Sequence, residues 1–481
     1  MGRIAQNPDS FPFEVDTLVV GAGAAGLIAA LAAHEAGQTV LVLERDAMPS
    51  GSTALSAGLI PAAGTAQQRA AGIDDDPDCF AADIQRKAHG QNDPDLVALL
   101  AGNAARVIGW LSDTHGLPFS VVEGFDYPGH SRRRMHGLPS RAGRELVDAL
   151  RGRCEALGID ILCEARVTTL HAEGRHVTGA SFERPDSRAE SVGAGRVILA
   201  CNGFGGNREM VRAHMPEIAD ALWFGHGGNT GDALDWGTAL GGRARHLGAY
   251  QGHGNVAQPH GILITRATMT EGGVQVNAEG RRFWDESNGY SEAARHVLAQ
   301  PGGVAWAIFD DRIAGIARQF EDFRTAEAQG AIRRADTAEG LAGALGLPAE
   351  ALAETLAGLP REGADTFGRD FSTTPPLTPP YCGVKVTGAL FHTRGGLEVD
   401  ADARVVDAEG RPLPNLLAAG GAACGVSGQG DDGYLSGNGL LAAAVLGWLA
   451  GRAVPCSAPA PDIGSARAPR VVPRARGTGA P

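Results

Sequence analysis

The chain has 481 residues with 43% hydrophobic content, enough for two or three domains with large cores. Its net charge of −13 argues against a nucleic-acid or anionic-membrane partner. The seven cysteines are scattered, without a CxxC pair or metal-ligand spacing, so we expect reduced thiols, no metal site and a cytoplasmic protein. We expect neither a secretory signal nor a transmembrane segment, because the N-terminus and the apolar helices lack the required apolar lengths.

The stretch from Asp16 to Arg45 predicts a complete βαβ unit. Its predicted parts are a buried strand, a G-x-G-x-x-G turn, a helix, a second buried strand and an acid: Leu18–Val20, residues 21–26, Leu27–Ala36, Thr39–Leu43 and Glu44. Glycines in such a turn allow a tight bend and let backbone N–H groups approach a pyrophosphate, while the helix N-terminus adds positive dipole. The acid has the spacing expected for a ribose contact. The unit therefore predicts a dinucleotide site.

The rest of the chain predicts a second part of the same domain and an inserted one. Helices are expected at Asp93–His115, Gly143–Leu157 and Leu440–Ala450, and strands at Ile159–Glu164, Val167–Leu170, Val177–Phe182, Arg196–Cys201, Val384–Thr387, Leu397–Val399 and Leu416–Ala419. Between about Gly241 and Arg369 the pattern changes, with strands at Gln275–Asn277 and Val304–Phe309 and two short helices within Asp336–Leu356. We expect a first domain from residues 14–240 and 371–455, a capping domain from 241–370, and a disordered tail at 457–481.

Two glycine-rich loops leave their roles open. Residues 49–58 form a small-residue loop that suits a diphosphate or a flat ring, although an ordinary loop has the same composition. Residues 125–143 are basic, with Tyr127, His130, Arg132, Arg133, Arg134, His136 and Arg141. This second loop either binds an acidic group or is a solvated surface loop.

Several ordered motifs resemble one known family. They are the βαβ unit, SGSTALSAG, VILACNGFGGN, GNTGDAL and the closing run from LFHTRGG to GYLSGNGLLAAAVLG, which together span about residues 14–451. They are similar to the FAD-dependent fumarate reductase/succinate dehydrogenase flavoprotein superfamily, which also contains the 3-ketosteroid dehydrogenases. The resemblance implies an α/β fold with a Rossmann-like FAD-binding domain and an inserted α+β capping domain. It also implies an oxidoreductase that binds substrate between cap and flavin.

The resemblance implies a set of FAD contacts, carried over motif by motif. These are Gly21, Gly23, Ala24, Gly26, Glu44, Arg45, Ser52, Thr53, Ser56, Val167, Asp232, Gly437, Asn438 and Leu440. FAD is expected to be non-covalent, because the loop at residues 49–65 has no histidine of the kind that carries covalent flavin in the family. The family often has an acid where this chain has Gly421.

The resemblance also implies catalytic residues, with two substitutions. His253 and His392 match histidines that grip a substrate carboxyl in fumarate reductases. Those enzymes have arginines at the positions of Tyr290 and Tyr434 in this chain. The 3-ketosteroid dehydrogenases have tyrosines near both positions, with a register difference of about one residue at Tyr434. The site pattern therefore resembles these dehydrogenases more closely.

We therefore expect α,β-dehydrogenation of a ketone or related carbonyl, either a 3-ketosteroid or a smaller cyclic ketone. Tyr290 would take the α-proton, flavin N5 the hydride, and Tyr434 with His392 would donate hydrogen bonds to the carbonyl oxygen. One alternative is a fumarate reductase-like reductase of an unsaturated acid, in which Arg394, Arg266 or the Arg132–Arg134 loop replaces the missing arginines. Another is a flavin electron-transfer subunit without its own substrate. The expected partners are a small carbonyl substrate and an external electron acceptor or donor.

Overall fold

The computed structural model of the chain describes residues 2–123 and 127–454. The predicted disordered tail, Phe125 and Cys456 lie outside these ranges. The six cysteines within the ranges are free thiols. Across the same ranges, no helix combines the length and the apolar character needed to cross a membrane.

The strands are short except for a few long ones that form the two main sheets. In chain order they are β1 (Arg3–Ala5), β2 (Glu14–Val20), β3 (Val40–Leu43), β4 (Ile60–Pro61), β5 (Ser120–Val121), β6 (Met135–Gly137), β7 (Asp160–Leu162), β8 (Arg166–Glu173), β9 (His176–Glu183), β10 (Ala189–Leu199), β11 (Leu222–Trp223), β12 (Ala244–Arg245), β13 (Tyr250–Ala257), β14 (Ile262–Leu263), β15 (Val274–Val276), β16 (Val304–Asp310), β17 (Arg333–Ala335), β18 (Tyr381–Thr393), β19 (Gly396–Leu397), β20 (Arg404–Val406) and β21 (Pro412–Ala418).

The helices lie mostly in the first half of the chain and in the inserted region. They are α1 (Ala24–Glu35), α2 (Gly51–Ala54), α3 (Ala66–Ala70), α4 (Pro77–Lys87), α5 (Pro94–Asp113), α6 (Gly143–Ala156), α7 (Arg208–His214), α8 (Asp232–Ala239), α9 (Ala267–Thr270), α10 (Tyr290–Leu298), α11 (Asp311–Ala317), α12 (Glu321–Ala328), α13 (Ala338–Leu345), α14 (Ala349–Ala357) and α15 (Asn438–Arg452). Three 3₁₀ turns lie at Pro216–Ile218, Pro301–Gly303 and Gly420–Ala422.

The first sheet has a parallel centre that brings several strand ends together. Strands β10, β2, β3 and β7 are neighbours in that order, all parallel, and β21 runs parallel to the second half of β10. The register places Leu18 opposite Val197 on one side and Leu41 on the other. Because the carboxyl ends of these strands meet at one edge, that edge is where an open α/β sheet binds its ligand.

Helix α1 is the central helix of the core, as its all-round apolar sequence requires. Residues Ala24 to Ala33 are all buried, so the helix has no solvated face and packs between the sheet and α15. Residues of β2, α1, β3 and α15 belong to one large apolar cluster. The predicted strand–turn–helix–strand unit is confirmed, with β2 starting earlier, at Glu14.

The second sheet carries the inserted region. Its order is β14-β13-β18-β16-β15, with β11 and β17 also paired to β18, and α10 packs against β13 and β18. Strand β16 is buried on both faces: Phe309 belongs to the cluster with Phe323, whereas Ile308 belongs to the cluster with Leu341. The long strand β18 belongs to this sheet, although the sequence assigned its residues to the first domain. The domain division at residues 240 and 370 stays a prediction.

Candidate functional site

One cavity of about 660 Å³ runs from the carboxyl edge of the first sheet to the second sheet. The four predicted catalytic residues, Tyr290, Tyr434, His392 and His253, all lie in its wall. So do most of the predicted cofactor contacts: Gly21, Gly23, Ala24, Glu44, Arg45, Ser52, Thr53, Ser56, Val167, Asp232, Gly437 and Leu440. Gly26 and Asn438 lie behind this surface, Gly26 in the first turn of α1 and Asn438 at the start of α15.

The turn after β2 has the close backbone packing that its glycines predict. Gly21 has φ +104°, a conformation that residues with a side chain rarely adopt. A Cβ on Gly26 would overlap the carbonyl oxygen of Gly21, so helix α1 begins in direct contact with the turn. The result is a concave surface of backbone groups at the N-terminus of α1, which suits a pyrophosphate.

The predicted ribose acid is held in place by the same turn. Glu44 is 5% exposed, and its Oε2 accepts a hydrogen bond of 2.8 Å from the Ala22 N–H. Its Oε1 accepts a bond of 3.0 Å from the Asp46 N–H. Burial raises the pKa of this carboxyl, and the two backbone donors oppose that shift. Each oxygen still has a lone pair that can accept from a ribose hydroxyl.

Two asparagines that the sequence analysis missed fix the loop after β3. Asn202 and Asn229 donate side-chain hydrogen bonds of 2.8 and 3.0 Å to the hydroxyl oxygen of Ser52. Asn202 also occupies the space beside Gly421, where a Cβ would overlap its Oδ1 and come close to the His392 ring. The polar group beside Gly421 therefore comes from the loop that follows β10.

The two tyrosines meet across the cavity. Tyr290 is the first residue of α10, and its ring centroid lies 6.0 Å from that of Tyr434, edge to face. The Tyr290 hydroxyl lies 3.3 Å from Oγ of Ser436, and the ring stacks on His253 at 5.2 Å. Burial raises the pKa of Tyr290 well above its ordinary value, an effect reinforced by Tyr434 and opposed by Ser436. The phenol is therefore protonated at neutral pH.

The two histidines both leave Nε2 free for the cavity, but in opposite protonation states. The Asn255 N–H donates to Nδ1 of His253 at 3.1 Å, so the neutral ring carries its proton on Nε2. Nδ1 of His392 contacts the Thr393 carbonyl oxygen and must therefore be its donor, which leaves Nε2 as an acceptor. Burial lowers the pKa of both rings to about 3. His392 in this tautomer cannot take the donor role predicted for it, whereas His253 can donate from Nε2.

Arg394 is a buried cation without a counter-charge. It is 8% exposed, stacks over the Tyr434 ring at 4.3 Å, and donates to Oε1 of Gln251. Its Nη1 lies so close to Gly439, the second residue of α15, that a Cβ there would overlap it. Among the residues that the structure describes, no carboxylate is within ion-pair distance, and Nε has no hydrogen-bond partner. The positive end of α15 adds to the unbalanced charge.

Arg266 is a second, half-buried cation on the opposite wall, and the charges of Glu292 and Glu286 act on it from a distance. Its Nη2 donates to the backbone carbonyls of Glu286, at 2.7 Å, and of Asn288. Its buried Nε has no partner, and no carboxylate within the described ranges forms an ion pair with it. Burial lowers its pKa to about 10, so it stays charged at neutral pH. Its charge also lowers the pKa of His253.

In the described part of the basic loop, residues 127–143, the segment from Arg134 to Leu138 is buried, whereas Ser131, Arg132 and Arg133 are exposed. Arg134 is 1% exposed and forms ion pairs with Asp75, at 2.9 Å, and Asp83, at 2.5 Å. His136 is fully buried and contacts Thr65. Of the loop's predicted residues, Tyr127 and Arg141 reach the cavity wall, whereas Arg132 is exposed. An ion pair with two distant aspartates leaves no sequence signal, which is why the sequence left the loop's role open.

The concave surface at residues 21–26, which we call the cradle, fits a dinucleotide such as FAD. Its backbone surface, the fixed acid Glu44 and the cavity that continues past Ser52 have the right chemistry for pyrophosphate, ribose and a flat ring. At the other end, the side-chain amide of Asn438 is buried with neither nitrogen nor oxygen hydrogen-bonded in the described ranges. Such an orphaned amide at a helix N-terminus fits a bound partner there.

Comparison with known proteins gives consistent matches. The FAD binding domain family matches residues 16–440. A protein named "Probable fumarate reductase Ifc3" from Shewanella frigidimarina is 33% identical over 443 residues, covering 90% of this chain and 74% of its own. An open conformation of a flavocytochrome c3 fumarate reductase superposes with a TM-score of 0.79 at 31% identity, covering 92% of this chain and 78% of that one.

A third match concerns the fold alone. The 3-ketosteroid-Δ4-(5α)-dehydrogenase from Rhodococcus jostii RHA1 has a TM-score of 0.76 at 24% identity. The alignment covers 94% of this chain and 99% of that one. At this identity the likeness confirms the predicted architecture and leaves the substrate to be argued from the site.

Proposed function

We propose, from the premise that this chain belongs to the FAD binding domain family of the fumarate reductase flavoproteins, that it reduces the carbon–carbon double bond of an α,β-unsaturated carboxylic acid. The family makes the chain an FAD-dependent oxidoreductase that acts on CH–CH groups. The acid substrate is the proposal, and it replaces the neutral ketone as the reading best supported by the site. The alternative predicted from the sequence thereby becomes the leading one.

The observation that carries the proposal is the pair of unpaired guanidinium groups. Arg394 and Arg266 line the same cavity as Tyr290, and neither has a carboxylate partner in the described part of the chain. A buried charge without a counter-charge is costly, and a substrate carboxylate would balance one. Guanidinium is also the group that holds a carboxylate in a fixed, two-pronged geometry. In this proposal, Arg266 and Arg394 take the place of the arginines absent at positions 290 and 434.

The protonation of Tyr290 supports the reductive direction. A phenol whose pKa lies well above its ordinary value holds its proton at neutral pH and is a poor base. In a reduction, hydride adds to the β-carbon and Tyr290 gives its proton to the α-carbon, so that one double bond becomes a CH–CH bond. The tyrosine must then regain a proton before the next turnover. The predicted dehydrogenation would instead need the phenolate first.

The remaining groups orient the substrate. FAD, when bound by the predicted contacts at Gly21, Glu44 and Asp232, supplies the hydride. The Nε2–H of His253 and the Tyr434 hydroxyl can donate to a substrate oxygen. Neutral His392 can accept a hydrogen bond but cannot donate one from Nε2. The non-covalent attachment of FAD, the cytoplasmic location and the external electron donor stay predictions.

A substrate screen tests this proposal. The holoenzyme is reduced chemically without oxygen and mixed with unsaturated acids, their neutral amides, and unsaturated ketones, while flavin absorbance reports reoxidation. We expect at least one acid to reoxidise the flavin much faster than its amide. Reoxidation by neutral ketones alone would contradict the proposal. No response to any compound, together with a stable protein partner, would favour the electron-transfer subunit.

Dehydrogenation of a neutral ketone is the second candidate, favoured by the paired phenols. Tyr290 and Tyr434 face each other with Ser436 beside them, an arrangement that can share a proton beside a carbonyl oxygen. A 3-ketosteroid or a smaller cyclic ketone would suit this reading. Bleaching of oxidised flavin by a saturated ketone without oxygen would support it, and bleaching by no ketone would remove it.

A further inference from the structure

We infer that His130 is a positioning residue. It holds the backbone of Ser436, and through Ser436 it aligns the hydroxyl of Tyr290 with the substrate. The inference rests on the proposed function only in that Tyr290 is taken to move the proton. It gives a role to the basic loop, whose purpose the sequence left open. The loop would act inside the protein, by bracing the site, and would bind no external acidic group.

The chain of contacts from the basic loop to Tyr290, which we call the brace, begins at a buried ion-pair cluster. Arg134 is held by Asp75 and Asp83, with Nε and Nη2 both on Asp75, at 3.0 and 2.9 Å. Its guanidinium also lies over the Phe80 ring at 4.8 Å. Asp83, 1% exposed, in turn accepts from the backbone N–H and the hydroxyl of Ser131, at 2.7 and 2.8 Å. The loop is therefore fixed on the C-terminal side of His130, at Ser131 and Arg134.

The loop then lies directly on the segment that carries the site. Gly129 packs against Leu435, and a Cβ on Gly129 would lie 2.7 Å from Cδ1 of Leu435. The next residue, His130, places its Nε2 at 2.9 Å from the carbonyl oxygen of Ser436. Two adjacent loop residues thus contact two adjacent residues between Tyr434 and α15.

The cluster also fixes which nitrogen of His130 carries the proton. Nη1 of Arg134 lies 3.4 Å from Nδ1 of His130 and can only donate, so Nδ1 is the acceptor. The proton is then on Nε2, which donates to the Ser436 carbonyl. Burial and the Arg134 charge lower the pKa of His130 to about 4, against the influence of Ser436 and the two aspartates. The ring is neutral at physiological pH and its hydrogen bond is permanent there.

Ser436 passes this restraint to the reacting group. Its backbone is held by His130, and its Oγ lies 3.3 Å from the Tyr290 hydroxyl. The segment leads into α15, which packs on α1, whereas Tyr290 begins helix α10, which packs on the second sheet. His130 therefore helps to align a proton donor that is supplied by the opposite wall of the cavity. Misplacement of such a group by a fraction of an ångström costs rate rather than affinity.

A double-mutant cycle tests the inference. The rate of flavin reoxidation by the best acid from the screen is measured in His130→Ala, Ser436→Ala and the double variant, with His130→Gln as the conservative replacement. We expect each single variant to lose about tenfold in rate with unchanged ligand affinity and FAD content. The double variant should be no slower than Ser436→Ala, because His130 acts through Ser436. His130→Gln should recover most of the rate, since its amide can donate to the carbonyl.

Opposite results would overturn it. Additive losses in the double variant, a change in affinity with the rate intact, or no rescue by His130→Gln would each contradict a positioning role. Arg132→Ala is the matched control, because this exposed arginine lies in the same loop outside the brace and should leave rates unchanged. If no acid is reduced by the wild type, the proposed function fails, and the cycle is run on ketone oxidation, which moves the same proton in reverse.

A measurement without substrate completes the test. Nitrogen NMR of the holoenzyme labelled at histidine reports the His130 tautomer. We expect a neutral ring with its proton on Nε2 from pH 6 to 8, independent of which reaction the enzyme performs. A ring that titrates in this range, or one protonated on Nδ1, would overturn the inference even if the acid substrate is correct.

Discussion

The cradle at residues 21–26 and the chamber around Tyr290 are assembled in opposite ways. The cradle takes backbone groups from one continuous stretch, and its acid Glu44 is fixed by two backbone N–H groups of the same unit. The chamber takes side chains from four distant segments, at Gln251–Arg266, Tyr290, His392–Arg394 and Tyr434–Ser436. One region is defined by local conformation and the other by tertiary contacts.

The two regions also differ in charge. The cradle offers neutral backbone donors and one buried acid, whereas the chamber holds two guanidinium groups with no carboxylate partner in the described ranges. A surface of backbone amides suits the same cofactor in many proteins, while unpaired cations select a particular ligand. The comparison teaches that the cofactor follows from the family and the substrate from the position of a few side chains.

The largest expected effect lies in the cradle. Gly26→Val should abolish FAD binding, because even a Cβ at this position overlaps the Gly21 carbonyl oxygen at the start of α1. The flavin content of the purified variant is the measurement. Gly102→Ala is the matched control, since this glycine of α5 has open space around it and the change should be neutral or slightly stabilising. A yellow Gly26→Val protein would contradict the account of the turn.

The next largest effect is expected from a substitution in the chamber, which should leave FAD binding in the cradle unchanged. Tyr290→Phe removes the proton donor but keeps the ring stacked on His253. We expect turnover to fall between about 100-fold and 10,000-fold with FAD still bound. Tyr381→Phe, outside the cavity wall, should behave like the wild type. Near-normal turnover of Tyr290→Phe would remove this residue as the proton donor.

The smallest effect concerns the stability of the fold in mild acid. Burial lowers the pKa of His253 to about 3 and of His136 to about 4, while the unfolded chain has ordinary histidines near about 6.5. Below about pH 6.5 the unfolded state binds more protons, so the free energy of unfolding falls as pH falls. Protonation of each histidine in the unfolded state should lower the free energy of unfolding by about 1.5 kcal/mol between about pH 6.5 and 5.

Denaturant unfolding across this pH range measures that loss. His136→Gln should be less sensitive to acid than the wild type, because it removes one of the titrating groups. His136 lies outside the chamber, so this variant should retain activity. An unchanged pH slope in His136→Gln would contradict the assignment of a neutral, buried ring.

The cradle was predictable because its signals are local. The strand, turn, helix and acid of the βαβ unit follow each other within 30 residues, and the structure confirms them with shifts of a few residues at their ends. Helices α5, α6 and α15 were found for the same reason, by their apolar spacing. The fold class and FAD were then confirmed by the family match.

The chamber was only half predictable because its contacts are not local. The sequence named Tyr290, Tyr434, His253 and His392, and the structure brings all four to one cavity. From the absence of arginine at positions 290 and 434 it favoured a neutral substrate and named Arg394 and Arg266 only for the alternative, whereas both guanidinium groups line the same cavity. The tautomer of His392 depends on a backbone carbonyl contact that no sequence pattern reveals. Helix α10, which begins at Tyr290, was not predicted.

The central claim is that the chamber binds an acid substrate. The most direct test varies the charge of the substrate and the charge of the chamber together. Arg394→Met and Arg266→Met are assayed with an unsaturated acid and with its neutral amide, and Arg281→Met, which is exposed and paired with Glu354, is the control. We predict that each chamber variant raises KM for the acid by about 10-fold to 100-fold and leaves KM for the amide unchanged. Equal effects on acid and amide, or none on the acid, would contradict the account.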